Sequence, residues 1–116
     1  VICIHHLPLL VGSNWLDTQT LHNQDEFHVF VKSFPSIKAV ISGHVHQEID
    51  EIRQGIRYIA TPSTSIQFVP HSHDFALDNK GPGWRYLIFK DNGNFETLVC
   101  RLETNSFHPR TDVGGY

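Results

Sequence analysis

The 116-residue sequence contains no methionine and opens on Val1-Ile2-Cys3-Ile4, with no polar approach before that apolar run. An opening of this kind is expected of an internal stretch, so the chain reads as a piece of a longer protein whose N-terminal part is missing. Cysteine is nearly absent. Cys3 and Cys100 both fall in apolar, strand-like runs, which argues against a disulfide framework and reads as reduced core thiols of an intracellular, cytoplasmic protein. No apolar stretch approaches the ~20 residues that span a bilayer, and no signal-peptide pattern is present, so no membrane contact is expected. Net charge is −3 with scattered basic residues, which leaves no nucleic-acid footprint. There is no repeat and no low-complexity segment.

What is abundant is histidine, nine residues of it, and imidazole is the commonest protein metal ligand. The most informative stretch is Gly43-His44-Val45-His46, placed directly after the apolar run Ile37-Lys38-Ala39-Val40-Ile41-Ser42. Even at this chain's own Gly and His content, a Gly-His-x-His string is expected only about 0.05 times in such a length. Residues i and i+2 of extended chain point the same way about 6.6 Å apart. Two histidines so placed can each grip one member of a metal pair whose ions sit about 3.5–4 Å apart. A second apolar run, Val1–Ile4, also ends in histidine, at His5-His6. In parallel α/β sheets the carboxyl ends of neighbouring strands share one rim, so His5, His44 and His46 would converge there if the two strands are neighbours.

The order of elements points to an α/β fold. With 40% hydrophobic residues the chain has room for one domain and one modest core. Val1–Ile4 reads as a buried strand and the Pro- and Gly-bearing stretch Leu7–Asp17 as loop. Asn23 followed three residues later by Glu26 is a capping-box pattern. Phe27, Phe30, Val31 and Phe34 then lie at i, i+3, i+4 and i+7, giving one core-facing stripe on a helix that Pro35 stops. A strand over Ile37–Ser42 follows. Gln54-Gly55 and Asp91-Asn92-Gly93-Asn94 mark two hairpins, Glu48–Arg53 with Ile56–Thr61 and Trp84–Lys90 with Phe95–Leu102. Thr61–Gly83 is the longest irregular segment, and Glu103–Tyr116 is a polar tail. A mixed sheet with hairpin strands and one main covering helix is expected.

Several of these strings together resemble the C-terminal half of the calcineurin-like metallophosphoesterases. They are Ile4-His5-His6-Leu7-Pro8, Gly43-His44-Val45-His46-Gln47-Glu48, Ala60-Thr61-Pro62-Ser63-Thr64 and Pro82-Gly83-Trp84-Arg85. The last two narrow the likeness to the bacterial class III 3′,5′-cyclic-AMP phosphodiesterases. Trp15-Leu16-Asp17, Gln67-Phe68-x-Pro70, Leu77-Asp78 and Gly115-Tyr116 extend it along the whole chain.

The resemblance implies that residues 1–116 are part of a single metallophosphoesterase domain, a four-layer αββα sandwich holding two metal ions (Fe, Mn or Zn). It implies that His5 and His44 bind the second ion and His46 the first. His6, Thr61, Ser63 and Thr64 become candidates for substrate contact, Thr61, Ser63 and Thr64 being equally suited to satisfying turn backbone. The reaction implied is opening of the cyclic ester of cyclic AMP to AMP. The family's Asp-x-His, Gly-Asp and Gly-Asn-His-Asp/Glu elements do not occur in these residues, and with them are missing a bridging Asp, an Asn ligand and the general-acid His. The isolated chain is therefore expected to bind metal weakly, to be inactive, and to dimerise or swap strands through uncovered sheet edges. Two other readings remain: the same fold acting on another phosphodiester or monoester, and a non-catalytic module that binds metal or mediates association. Among the remaining histidines, His22, His28 and His108 read as surface residues. His71 and His73 lie in the long loop with a possible substrate contact.

Overall fold

The computed structural model describes residues 1–103; His108 and Gly115-Tyr116 lie outside them. Its elements are β1 Ile2–Cys3, α1 Asn14–Asp17, α2 Gln24–Lys32, β2 Ala39–Ser42, β3 Ile49–Arg53, β4 Ile56–Ala60, β5 Gln67–Phe68, β6 Leu77–Asp78, β7 Gly83–Phe89 and β8 Phe95–Arg101. Four strands form a mixed sheet in the order β1-β2-β4-β3. β1 and β4 both run parallel to β2, and β3 returns antiparallel to β4. β5 with β6 and β7 with β8 make two separate antiparallel ribbons. The α/β class, the mixed sheet, the hairpins and the single main helix are thus present. No helix among the described residues is long and apolar enough to cross a membrane.

β2 is buried at every residue, as a central strand covered on both faces requires. The hairpin β3–β4 turns at Gln54-Gly55, whose φ of 51° and 83° are both left-handed, as a two-residue turn matched to strand twist demands. β7–β8 turns through Gly93, with φ of 80°. The strands begin or end within two residues of the expected bounds.

Four expectations need correction. β1 is an edge strand, so Ile2 and Ile4 pack on the core while Val1 and Cys3 alternate outward to solvent. Neither cysteine is a core thiol: Cys3 is exposed and Cys100 half-buried, both free. The stripe on α2 is only partly core. Val31 is fully buried and Phe27 half-buried, whereas Phe30 and Phe34 stay exposed, their rings 5.0 Å apart on each other. Of the nine helical residues only Val31 is fully buried, and Phe34 lies beyond the last of them, so the stripe runs past its support. Asn23 makes no capping bond to backbone; its amide instead donates to the Glu26 carboxylate at 3.4 Å.

Leu7–Asp17, expected as loop, is irregular as far as residue 13, but it carries core side chains and ends in a helical turn. Leu7, Leu9, Val11 and Leu16 are all core residues, and Asn14–Asp17 forms a single helical turn. Aliphatic side chains dominate here, and the backbone that would otherwise be stranded finds the Asp17 carboxylate. Its two oxygens accept the N–H groups of Val11 and Gly12 at 2.8 and 3.0 Å. The Thr61–Gly83 segment is likewise more ordered than expected, since β5 and β6 pair within it. The buried Gln67 amide there donates to the Ser63 and Ser65 carbonyls, and Trp15, Phe68 and Phe75 meet edge to face.

Adjacent leucines in the buried segment give a direct check. Leu9 is 1% exposed and Leu10 is 60% exposed. Leu9→Ala is expected to lower the unfolding free energy in urea by about 3 kcal/mol. Leu10→Ala is expected to change it by less than about 0.5 kcal/mol. Equal effects would mean that Leu9 is not packed in the core.

Candidate metal centre

Parallel pairing brings the histidines together. Ile2 lies opposite Val40 and Cys3 opposite Ile41, and the ladder continues as Ile4 N–H donates to the Ile41 carbonyl at 2.9 Å. One step further, Gly43 N–H donates to the His5 carbonyl at 3.3 Å. On the other side of β2, Thr61 N–H donates to the Ser42 carbonyl at 2.9 Å. The ends of β1, β2 and β4 therefore share one rim, with His5-His6, Gly43–His46 and Thr61 leaving it side by side.

Beyond β2 the chain turns sharply. Val45 N–H reaches back to the Gly43 carbonyl at 2.5 Å, and both His44 and His46 take left-handed backbone, with φ of 30° and 50°. Residues with a Cβ adopt that region at a cost, and such strain collects at functional positions. The turn aims the two imidazoles differently, so the same-side geometry of an extended i, i+2 pair does not apply.

His5, His6 and His44 offer one nitrogen each, all within 4.8 Å of one another, and among the described residues they are the group of three or more ligating side chains. Their ring centroids lie 5.0 Å (His5–His6), 5.1 Å (His5–His44) and 4.3 Å (His6–His44) apart. His44 Nδ1 sits 3.3 Å from His5 Nε2. His46 stands outside this group. Its ring lies flat on Phe68, 4.3 Å between centroids and 3° between planes, and beside a cavity of about 780 Å³ lined also by Gln67, His71, Asp78 and Arg101.

Burial, and then the positive charge His6, His5 and His46 would carry, push the His44 pKa down from 6.5 to about 4. Burial also lowers that of His46, opposed by a bond with the Ile66 backbone. Both rings are thus held in the neutral form that can ligate a metal. The buried Nε2 of His44 has no hydrogen-bond partner. A desolvated imidazole nitrogen left unsatisfied is costly unless something electrophilic meets it. Three convergent imidazole nitrogens fit a borderline cation of the Zn, Fe or Mn kind.

The Ser/Thr candidates are held by backbone duties. Thr61 donates its hydroxyl to the Ser42 carbonyl, Ser63 Oγ accepts the Ser65 N–H, and Thr64 is exposed. The two strings that narrowed the resemblance pack on each other. A Cβ at Gly83 would fall 2.9 Å from Pro62 Cγ, and Gly83 N–H donates to the Ser63 carbonyl at 2.7 Å. Arg85 then reaches the carbonyls of Ile49 and Ala60, tying β7 to the end of β4. His28 contacts the Tyr58 hydroxyl at 2.7 Å, and His73 pairs with Asp74 at the surface. His71, with φ of 58°, fits against Gly12, where a Cβ would meet its ring at 2.8 Å. Sequence spacing offers no signal for the stacking of His46 on Phe68.

An α/β chain that gathers imidazoles at the carboxyl ends of parallel strands presents donors of the kind that can hold a metal ion. Its relatives are more particular. The chain is 49% identical over all 116 residues to a 3′,5′-cyclic adenosine monophosphate phosphodiesterase CpdA of Vibrio vulnificus and 42% identical over the same span to that of Escherichia coli, covering 42% of each. It is 36% identical over 102 residues to a 3′,5′-cyclic-nucleotide phosphodiesterase of Nostoc, covering 88% of this chain and 38% of that one. No protein-family model matches. The chain is thus related along its whole length to the bacterial 3′,5′-cyclic-AMP phosphodiesterases, as its motifs indicate, and spans about 42% of the length of those first two relatives.

The depressed His44 pKa has a consequence for stability. Below pH 6.5 the unfolded chain takes up a proton at this position that the folded chain refuses until about pH 4. Metal-free stability should therefore fall as pH drops through that window and gain nothing above it. In denaturant titrations with chelator, His44→Gln should flatten the slope there; an unchanged slope would assign it elsewhere.

Proposed function

We propose that this chain is the histidine-bearing part of a metal-dependent phosphodiesterase that hydrolyses 3′,5′-cyclic AMP to AMP. The observation that carries this is the convergence of His5, His6 and His44 on one rim, in a chain related throughout to cyclic-AMP phosphodiesterases. In this reading residues 1–116 are part of one metallophosphoesterase domain, half of a four-layer αββα sandwich. His5 and His44 hold one ion and His46 holds the other. Metal ions bound there would supply Lewis-acid stabilisation for the phosphate charge and a nucleophile competent at neutral pH.

The chain's own residues do the rest of the positioning. His44 lies with His5 and His6 whereas His46 lies on Phe68, and in this reading the two serve different ions. Phe68 braces the His46 ring face to face and keeps its plane fixed. The adjoining cavity, with Arg101 and His71 on its walls, has the volume to admit a nucleotide. Thr61, Ser63 and Thr64 line the loop that leaves the same rim after β4. The general-acid His and the remaining ligands belong to the part of the domain beyond this chain.

The longer protein carrying this segment is expected to cleave cyclic AMP when supplied with Mn²⁺ or Fe²⁺. There, His44→Ala should lower turnover at least about 100-fold, the scale on which metal-site support is lost. The 116-residue chain alone should show no turnover. Rapid cleavage of a generic aryl phosphodiester with cyclic AMP untouched would overturn the substrate assignment.

Association of the isolated chain is part of the same reading. β1 leaves an open sheet edge, and Tyr86, Ile88 and Leu98 expose one apolar face of the β7–β8 ribbon. Light scattering should give a dimer at high concentration, and a monomer throughout would refute this.

A further inference from the structure

The ligand pattern implied by family resemblance leaves His6 without a metal duty, yet its ring is as close to His44 as any in the cluster. The His6–His44 centroid distance is 4.3 Å, shorter than either distance to His5. We propose that His6 is the third protein donor to the ion held by His5 and His44, so that this chain by itself makes a complete His₃ site for one divalent transition metal.

The inference rests on the donor set and does not depend on which substrate the protein cleaves. Zinc sites that keep an open coordination position commonly use three protein ligands, and three histidines are one such set. Two histidines alone would hold an ion weakly, which is the expectation the sequence pattern creates. Here the third nitrogen is supplied by the residue next to His5. β1 ends at Cys3, and Ile4 makes the last regular ladder bond to Ile41. Past that point strict alternation no longer sends successive side chains to opposite faces, so His5 and His6 can both turn toward His44. Their nitrogens all lie within 4.8 Å of one another, and zinc bound by three histidines at about 2.0–2.1 Å needs them nearer to roughly 3.3 Å. His44 Nδ1 and His5 Nε2 already stand at 3.3 Å. The side chains of His5 and His6 are exposed and free of packing that would stop them rotating to close the remaining distance.

The site would take a borderline divalent cation: Zn²⁺, or Co²⁺ as its spectroscopic substitute. His46 lies against Phe68 and faces the neighbouring cavity, which leaves it to the other ion.

The test uses the 116-residue chain and Co²⁺ itself. Titration should saturate at one ion per chain with visible d–d absorption, and proton NMR should show three exchangeable, paramagnetically shifted imidazole N–H signals. His6→Ala should weaken Co²⁺ binding at least about tenfold, the lower bound for losing support of a bound metal, and remove one shifted signal. His6 is exposed, so the variant should keep the parent circular dichroism spectrum. If it does not, His6→Gln serves as the replacement and should lose the same signal. His22→Ala, at an exposed histidine away from the rim, should leave all three signals and the affinity in place. Full affinity and three signals in His6→Ala, or an equal loss of binding in His22→Ala, would overturn the proposal. Because no turnover is read, the site can stand while the cyclic-AMP assignment fails, and the reverse.

Discussion

Everything at the rim depends on the parallel register of β1 on β2. With Cys3 opposite Ile41, the residues that follow each strand leave the sheet level with one another, and Gly43 N–H reaches the His5 carbonyl. A slip of one residue would send His5 and His44 to opposite faces, because side-chain direction in a strand has a period of two. The register is protected from such a slip because Val40 and Ala60 are core residues and Ile2 packs against them. Ordinary apolar packing therefore sets the spacing of the imidazoles.

The second support comes from the far side of β2. β4 runs parallel to it and ends at Thr61, after which Pro62 is met by the bare backbone of Gly83. Arg85 then donates to carbonyls on β3 and β4, so that the β7–β8 ribbon is fastened to the sheet beneath the rim. Burial works against the charge on Arg85, and its bonds to carbonyls and to Thr97 offset that cost. The Pro-Gly-Trp-Arg and Thr-Pro-Ser-Thr strings thus form one joint, which accounts physically for their appearing together.

The site carries two forms of stored cost. His44 and His46 sit in left-handed backbone, and the His44 ring is desolvated with a nitrogen unmet. Neither helps the metal-free chain fold. In the metal-binding reading proposed above, both would pre-arrange these imidazoles for a cation, the usual exchange of stability for function at a binding site.

Residue order alone was enough for the alternation of strand, helix and strand, the two hairpin turns, and the placing of His5, His6, His44 and His46 at strand ends. Those features rest on local rules: β-branched runs, left-handed Gly positions, and helical spacing stopped by proline. Order alone read Leu7–Asp17 as loop but did not show that its aliphatic side chains are buried or that Asn14–Asp17 makes a helical turn. Their burial arises from contact with Val31, Val40 and Phe68, far away in the chain. It also overstated the core stripe on α2, since how much of a helix is covered depends on the length of sheet beneath it. Above all, direction at the site could not be read from spacing. Which way His6 and His46 point is decided where the ladder ends and φ turns positive, and by whether Phe68 or His44 offers the nearer surface. Those are long-range contacts, and only the folded chain supplies them.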